Sequence, residues 1–210
     1  KPIDCAHRAL EEGVIGRLLL STTHFMRTGS DRSRRPATRR APRAWCGDDV
    51  FLTSLLHHLD ALQAVAGESI TELRGLSTIL SNGGGEEESV AATLRYEGGA
   101  LGAVVTCLSP PGPSLFQDSF VGTDGRLLVD KRIVQVIRRG AESPYHPKEW
   151  CTWEFPAQDD SRLRFVEEFC RSVQTGEPPP VPAAYGIELL RLIAQATRPS
   201  GAELRGCASP

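Results

Sequence analysis

Apolar residues recur at helical spacing in four stretches of the chain and alternate with polar ones through most of the rest. The first helical stretch is "IDCAHRALEE", residues 3–12, with Gly13 placed to stop it. The second is "FLTSLLHHLDALQAVAGE", which reads as a helix from Phe51 to Ala66 ending at Gly67. The third, "DDSRLRFVEEFCRSVQTG", gathers Phe165, Val166, Phe169, Cys170 and Val173 on one stripe, which is expected to be core. Asp159, Asp160 or Ser161 can cap its start and Gly176 its end. A stiff "EPPPVP" connector leads to the last helix, "AAYGIELLRLIAQAT".

Between these the period is two. "GRLLLSTTHFM" reads as a strand ending near Met26, and "SITELRGLSTIL" as another. "SVAATLRYEGGALGAVVTCLS" holds two strand-like runs around "EGG" at 97–99, which predicts a β-hairpin. Further strands follow in "LFQDSFVGTDGRLLVDKRIVQVIRR", where "GTDG" at 122–125 is a tight turn, with Asp124-Gly125 supplying positive φ. "EWCTWEF" adds one more, and "AELRGC" is offered as an edge strand. Strands joined by hairpins pair antiparallel. The expected fold is α+β: one large open, mainly antiparallel β-sheet with helices on one face. Residues 1–210 are expected to form a single domain, with 27–49 as an Arg-rich loop inside it.

Composition narrows the function classes. A chain of 210 residues, 40% hydrophobic and 24% charged, is an ordinary globular one. Its net charge of −2 is not that of a polycation seeking nucleic acid. No apolar run is long enough to span a membrane, and "KPIDCAHRALEEG" does not read as a signal peptide. Six scattered cysteines without C-x-x-C point to reduced thiols and a cytoplasmic location. Cys46 with His57, His58 and Asp60 matches no common zinc spacing, so no metal site is expected. The first residue is Lys1, so the chain is expected to start inside a longer reading frame or to have been trimmed.

The chemistry concentrates on the second helix. His57 and Asp60 stand one turn apart, and a histidine of ordinary pKa suits proton transfer near neutrality. His58 points roughly 100° away from His57. The loop "RTGSDRSRRPATRRAPRAW" carries seven arginines, including Arg43. It can be an anion clamp or a solvated insertion. A nucleic-acid arm would interleave aromatic residues, which are nearly absent here.

Five of these segments, in order, resemble the Gfo/Idh/MocA oxidoreductase family: "RALEEGVIGRLLLSTTHF", "LLHHLDALQAVAGE" with its H-x-x-D, the "VAATLRYEGGALGAVVTCLS" hairpin, "FVGTDGRLLVD", and the closing helices from Arg164. The resemblance covers nearly the whole chain. It implies the C-terminal α/β, substrate-binding domain of an enzyme whose N-terminal Rossmann domain binds NAD or NADP. That domain is missing here: no G-x-G-x-x-G follows a strand, and "SNGGGEEE" would repel a pyrophosphate. No cofactor-binding residue is therefore expected. The implied function is the substrate-binding and oligomerisation domain of an NAD(P)-dependent oxidoreductase. Its substrate would be a sugar, polyol or related hydroxy compound, and the fragment would be inactive alone. The alternative is a stand-alone non-catalytic binding or scaffold protein. The resemblance makes His57 and Asp60 the catalytic candidates; His58, otherwise structural, and Arg43, through the anion-clamp reading of its loop, are the candidate substrate contacts. It also implies a homodimer through the open sheet face. Two departures weaken the carry-over: Thr53 and Leu55 stand where many members have aspartate and glycine, and Gln63 and Ala64 where some have a second histidine.

Overall fold

The computed structural model describes residues 2–27, 50–78, 89–108, 113–139, 149–156 and 161–196. Its elements run α1 (Pro2–Glu11), β1 (Leu18–Arg27), α2 (Val50–Ala66), β2 (Ile70–Thr78), β3 (Ser89–Tyr96), β4 (Leu101–Leu108), β5 (Leu115–Gly122), β6 (Gly125–Val129), β7 (Ile133–Arg138), β8 (Glu149–Glu154), α3 (Ser161–Thr175) and α4 (Ala183–Ala196). The eight strands form one sheet in the order β2-β3-β4-β1-β5-β6-β7-β8. The α+β class and the open sheet are as the pattern predicts. Every neighbouring pair is antiparallel except β1 and β4, which run parallel with Leu20 beside Leu101 and Phe25 beside Thr106.

The pleat divides the sheet into two chemically different faces. On one side Val90, Ala92, Leu94, Tyr96, Val104, Phe120, Leu127, Val129, Val134 and Val136 are buried. They meet Leu55, Leu59, Leu62 and Val65 of α2, Ala6 and Ala9 of α1, and Leu189, Leu192 and Ile193 of α4 in one core. On the other side Leu20, Leu101, Val105 and Leu115 are 36–47% exposed. In register Leu20 stands beside Leu101, Val105 beside His24 and Leu115 beside Met26.

Glycine ends three helices as expected: Gly13, Gly67 and Gly176 have φ of +69°, +68° and +74°. The GTDG turn needs its glycines for a different reason from the one its sequence suggests. A Cβ on Gly122 would lie 2.1 Å from the Ile15 carbonyl oxygen, and one on Gly125 2.5 Å from that of Ile137. Close backbone approach, not positive φ, excludes side chains there.

One more expectation changes. The stripe on α3 is not core: Phe165, Val166, Phe169 and Val173 are 52–69% exposed, and Cys170 is exposed too. Helical spacing shows that a face is apolar but not what covers it, and α1, α2 and α4 already supply the helix layer. The expected loop at 27–49, with Arg43, lies outside the described residues apart from Arg27, which ends β1. "SNGGGEEE" and "AELRGC" lie outside them as well.

The buried face also carries polar side chains. Ser21 Oγ and the Tyr96 hydroxyl are 2.8 Å apart, both groups being fully buried, and burial pushes the Tyr96 phenol up to about 12. Removing that phenol oxygen leaves Ser21 without its partner away from water. Tyr96→Phe should cost about 1–3 kcal/mol in urea unfolding. An unchanged midpoint would show that the pair contributes nothing.

Candidate functional site

The site is organised by α2. Leu55, Leu59 and Leu62 are fully buried and fix which way the helix faces. At 3.6 residues per turn His57 then falls on the side opposite the sheet, and it is exposed. Asp60 shares that outer side and is also exposed. His58 falls between, half-buried, with its ring centroid 4.6 Å from that of Phe25 at the end of β1.

Asp60 is held from α4. The Tyr185 hydroxyl donates to Asp60 Oδ1 at 2.8 Å and accepts from Gln63 Nε2 at 3.1 Å. Gln63 Oε1 in turn accepts the Ile70 N–H at 2.6 Å, which ties the relay to the start of β2. Burial raises the Tyr185 phenol, the Gln63 hydrogen bond lowers it, and the Asp60 carboxylate raises it again. Asp60 is exposed and takes its hydrogen bond from α4. Its partner is a tyrosine 125 positions on. The aspartate can accept one further hydroxyl from solvent or a ligand, since no donor among the described residues reaches Oδ2.

Beside His58 lies an aromatic patch. Phe25 and Phe116 meet edge to face at 4.8 Å, and the Lys131 ammonium lies 3.3 Å from the Phe116 centroid. Deeper under α2, Thr23 donates to Asp118 Oδ1 at 2.7 Å. Burial pushes the Asp118 carboxyl up against that hydrogen bond. Thr106 Oγ1 is buried with no hydrogen-bond partner among the described residues. No cluster of three or more metal-ligating side chains occurs among them either.

Three of the four residues singled out from sequence therefore belong to one helix but to two surfaces. His57 and Asp60 share the outer one, His58 the sheet side, and Arg43 is outside the described residues. Sequence reasoning missed Tyr185, Phe25, Phe116 and Lys131. The only available signal was Tyr185 as the single aromatic residue of its helix. Periodicity cannot show that it meets Asp60 across two helices.

These elements and their order make an open-sheet α+β domain. The model of the GFO/IDH/MocA C-terminal domain matches residues 3–128, and the chain belongs to that family. It is 23% identical over 201 residues to myo-inositol 2-dehydrogenase of Thermotoga maritima, covering 94% of this chain and 58% of the relative. Among solved structures it resembles levoglucosan dehydrogenase in complex with NADH and levoglucosan, at 18% identity and a TM-score of 0.73, over 91% of this chain and 59% of that one. An oxidoreductase domain protein from Kribbella flavida is similar at 16% identity and a TM-score of 0.76, over 93% and 59%. The chain thus spans somewhat over half the length of the relatives it matches. No helix among its described residues is long and apolar enough to cross a membrane.

His58 gives the site a pH signature. Burial, and then the neighbouring His57, lower its pKa from 6.5 to about 4. The unfolded chain therefore binds the proton more readily between those values. The stability that His58 contributes is full above about pH 6.5 and falls as the pH drops toward 4. His58→Gln should flatten that part of the stability–pH curve in urea titrations at pH 7, 5.5 and 4.5. A variant curve parallel to the parent's would place His58 in a solvated environment.

Proposed function

We propose that the chain is the substrate-binding and oligomerising part of an NAD(P)-dependent oxidoreductase acting on a sugar, polyol or related hydroxy compound. One observation carries the reading. His57 and the Tyr185-held Asp60 lie exposed on the side of α2 away from the sheet, as one wall of a site that a second body must complete. The names of the relatives, inositol and levoglucosan dehydrogenases among them, support the substrate class.

Among the described residues the glycines with positive φ end α1, α2 and α3 or sit in turns, which supports placing the nucleotide elsewhere. In this reading the cofactor is held by the portion that the relatives have and this chain does not span. What the chain supplies is proton handling and orientation. His57 holds or accepts the proton of a substrate hydroxyl. Asp60, fixed by Tyr185 through Oδ1, presents Oδ2 to a neighbouring hydroxyl. The aromatic patch of Phe25 and Phe116, with Lys131, borders the same helix and suits the less polar edge of a ring.

Two measurements test this. Calorimetry of the chain with NADH and NADPH should show no micromolar binding, and a clear isotherm would overturn the division of labour. With the chain joined to a nucleotide-binding domain, His57→Ala or Asp60→Asn should lower turnover by roughly two to four decades. Unchanged kinetics in both would remove the pair from the chemistry.

The oligomerising role rests on the open sheet face. Leu20 beside Leu101, Val105 further along β4 and Leu115 in β5 leave exposed apolar side chains on all three central strands. Two such faces pack about 10 Å apart, and a two-fold homodimer would cover both, with the β3–β4 hairpin near its centre. Light scattering should then give twice the 22.8 kDa chain mass. Val105→Asp should yield a folded monomer, because Val105 is on the open face. Val104→Asp should unfold the chain, because Val104 is fully buried under the helices. A Val105→Asp protein that stays dimeric would rule this face out.

A further inference from the structure

The sheet has eight strands, and its helix layer stops short of the last one. At that edge α1 packs on β6 and β7. The β7–β8 ladder shows which β8 side chains turn toward the helix side: Cys151 stands opposite the buried Val136, and Trp153 opposite the buried Val134. Both are exposed, so they form a ledge beyond the reach of α1. Between the flank of α1 and this ledge lies a cavity of about 710 Å³, with Cys151 and Trp153 on one side and Cys5 and Arg8 on the other. Sites for small molecules run from about 300 to 1,000 Å³.

Floor and rim differ in chemistry. The floor is apolar: Ala9 and Val136 are buried in it, Val14 and Phe155 are half-buried, and the Trp153 ring lies open. The rim is charged. Asp4, Arg8 and Glu12 follow one another at a spacing of four along α1 and its end, so each carboxylate has a guanidinium one turn away. Arg138 at the end of β7 and Arg164 in the first turn of α3 bring two further guanidinium groups from other walls. Among the described lining residues, cations thus outnumber carboxylates by three to two. None of these residues belongs to α2, so the cavity is separate from the surface of His57 and Asp60.

Each class of small molecule meets this cavity differently. A neutral polyol would leave the aromatic ledge and the excess positive charge unanswered. An inorganic anion would satisfy the guanidinium groups but leave Trp153 bare. A ligand with both parts gains twice. Its apolar body takes ring surface out of water, and its carboxylate meets a guanidinium fork with two parallel hydrogen bonds. We infer that the cavity between α1 and β8 is a binding site for an organic anion with a flat apolar body, its ring over Trp153 and Phe155 and its carboxylate toward Arg138. The inference does not rest on the proposed function, because it uses none of the residues of that site.

The probe is naphthoate, with naphthalenemethanol as the uncharged body of the same shape. Calorimetry should show one naphthoate site per chain with a dissociation constant below about 1 mM, and the alcohol should bind at least about tenfold more weakly. Equal affinities would reduce the cavity to an apolar dent and overturn the inference, as would the absence of binding. Arg138 is exposed, so Arg138→Gln should leave the urea midpoint unchanged. It should weaken naphthoate by about tenfold, and undiminished binding would overturn the inference. Thiol labelling reads the place. Cys5 and Cys151 are free thiols on facing walls, and Cys107 and Cys170 are free thiols outside the lining. Saturating naphthoate should slow iodoacetamide labelling of the first two by about threefold or more and leave the other two unchanged. Slowing at Cys170 alone would put the probe on α3 and sink the inference. Joined to the nucleotide-binding part of the Thermotoga maritima relative, the chain should bind naphthoate as before. Loss of binding there would show that the cavity is a contact between domains and not a ligand site. Retained binding in a joined protein without turnover would count against the proposed function alone and leave the anion site standing.

Discussion

The parallel pairing of β1 with β4 is the contact on which the rest of the structure depends. It joins two antiparallel halves, β2-β3-β4 and β1-β5-β6-β7-β8, into one sheet. Parallel neighbours cannot be linked by a tight turn, so the chain between them must cross over a face of the sheet. α2 lies in that crossover and is laid over the central strands. Everything on α2 takes its direction from this. Leu55, Leu59 and Leu62 go down into the core, His58 against Phe25, and His57 with Asp60 upward.

A single helix layer on an eight-stranded sheet leaves surface over. Where α1, α2 and α4 cover the strands, Ser21 pairs with Tyr96 and Thr23 with Asp118, while Thr106 Oγ1 has no partner among the described residues. Where they do not, apolar side chains stay at the surface, as on the open face and around Trp153.

The relay from Ile70 through Gln63 and Tyr185 to Asp60 connects three elements distant in sequence. It explains what Gln63 does at a position where some family members carry a histidine. Its amide accepts a strand N–H and donates to the tyrosine, which in turn orients the carboxylate. A side chain able to donate and accept at once suits that place. The departure from the family pattern at this position is thus accommodated by a structural role, and Asp60 keeps a defined orientation without a second histidine.

Much of the architecture was legible along the chain, because local physics decides it. The four helices, the hairpin at 97–99 and the stops at Gly13, Gly67 and Gly176 follow from periodicity and from the conformations that glycine alone adopts freely. The H-x-x-D spacing likewise placed His57 and Asp60 on one side of one helix. What the pattern could not contain is partnership. A period of two is the same for parallel and antiparallel neighbours, so the β1–β4 pair was invisible. An apolar stripe at helical spacing is the same whether buried or bare, so α3 was read as core. The glycines of GTDG were assigned to turn dihedrals, when the carbonyls of Ile15 and Ile137 crowd them from elsewhere in the chain. Tyr185 reaches Asp60 only because α4 packs on α2. Sequence determined which segments form and which way their faces divide. The tertiary structure decided what each face meets, because contacts between distant residues are fixed by the packing of whole elements and leave no local period.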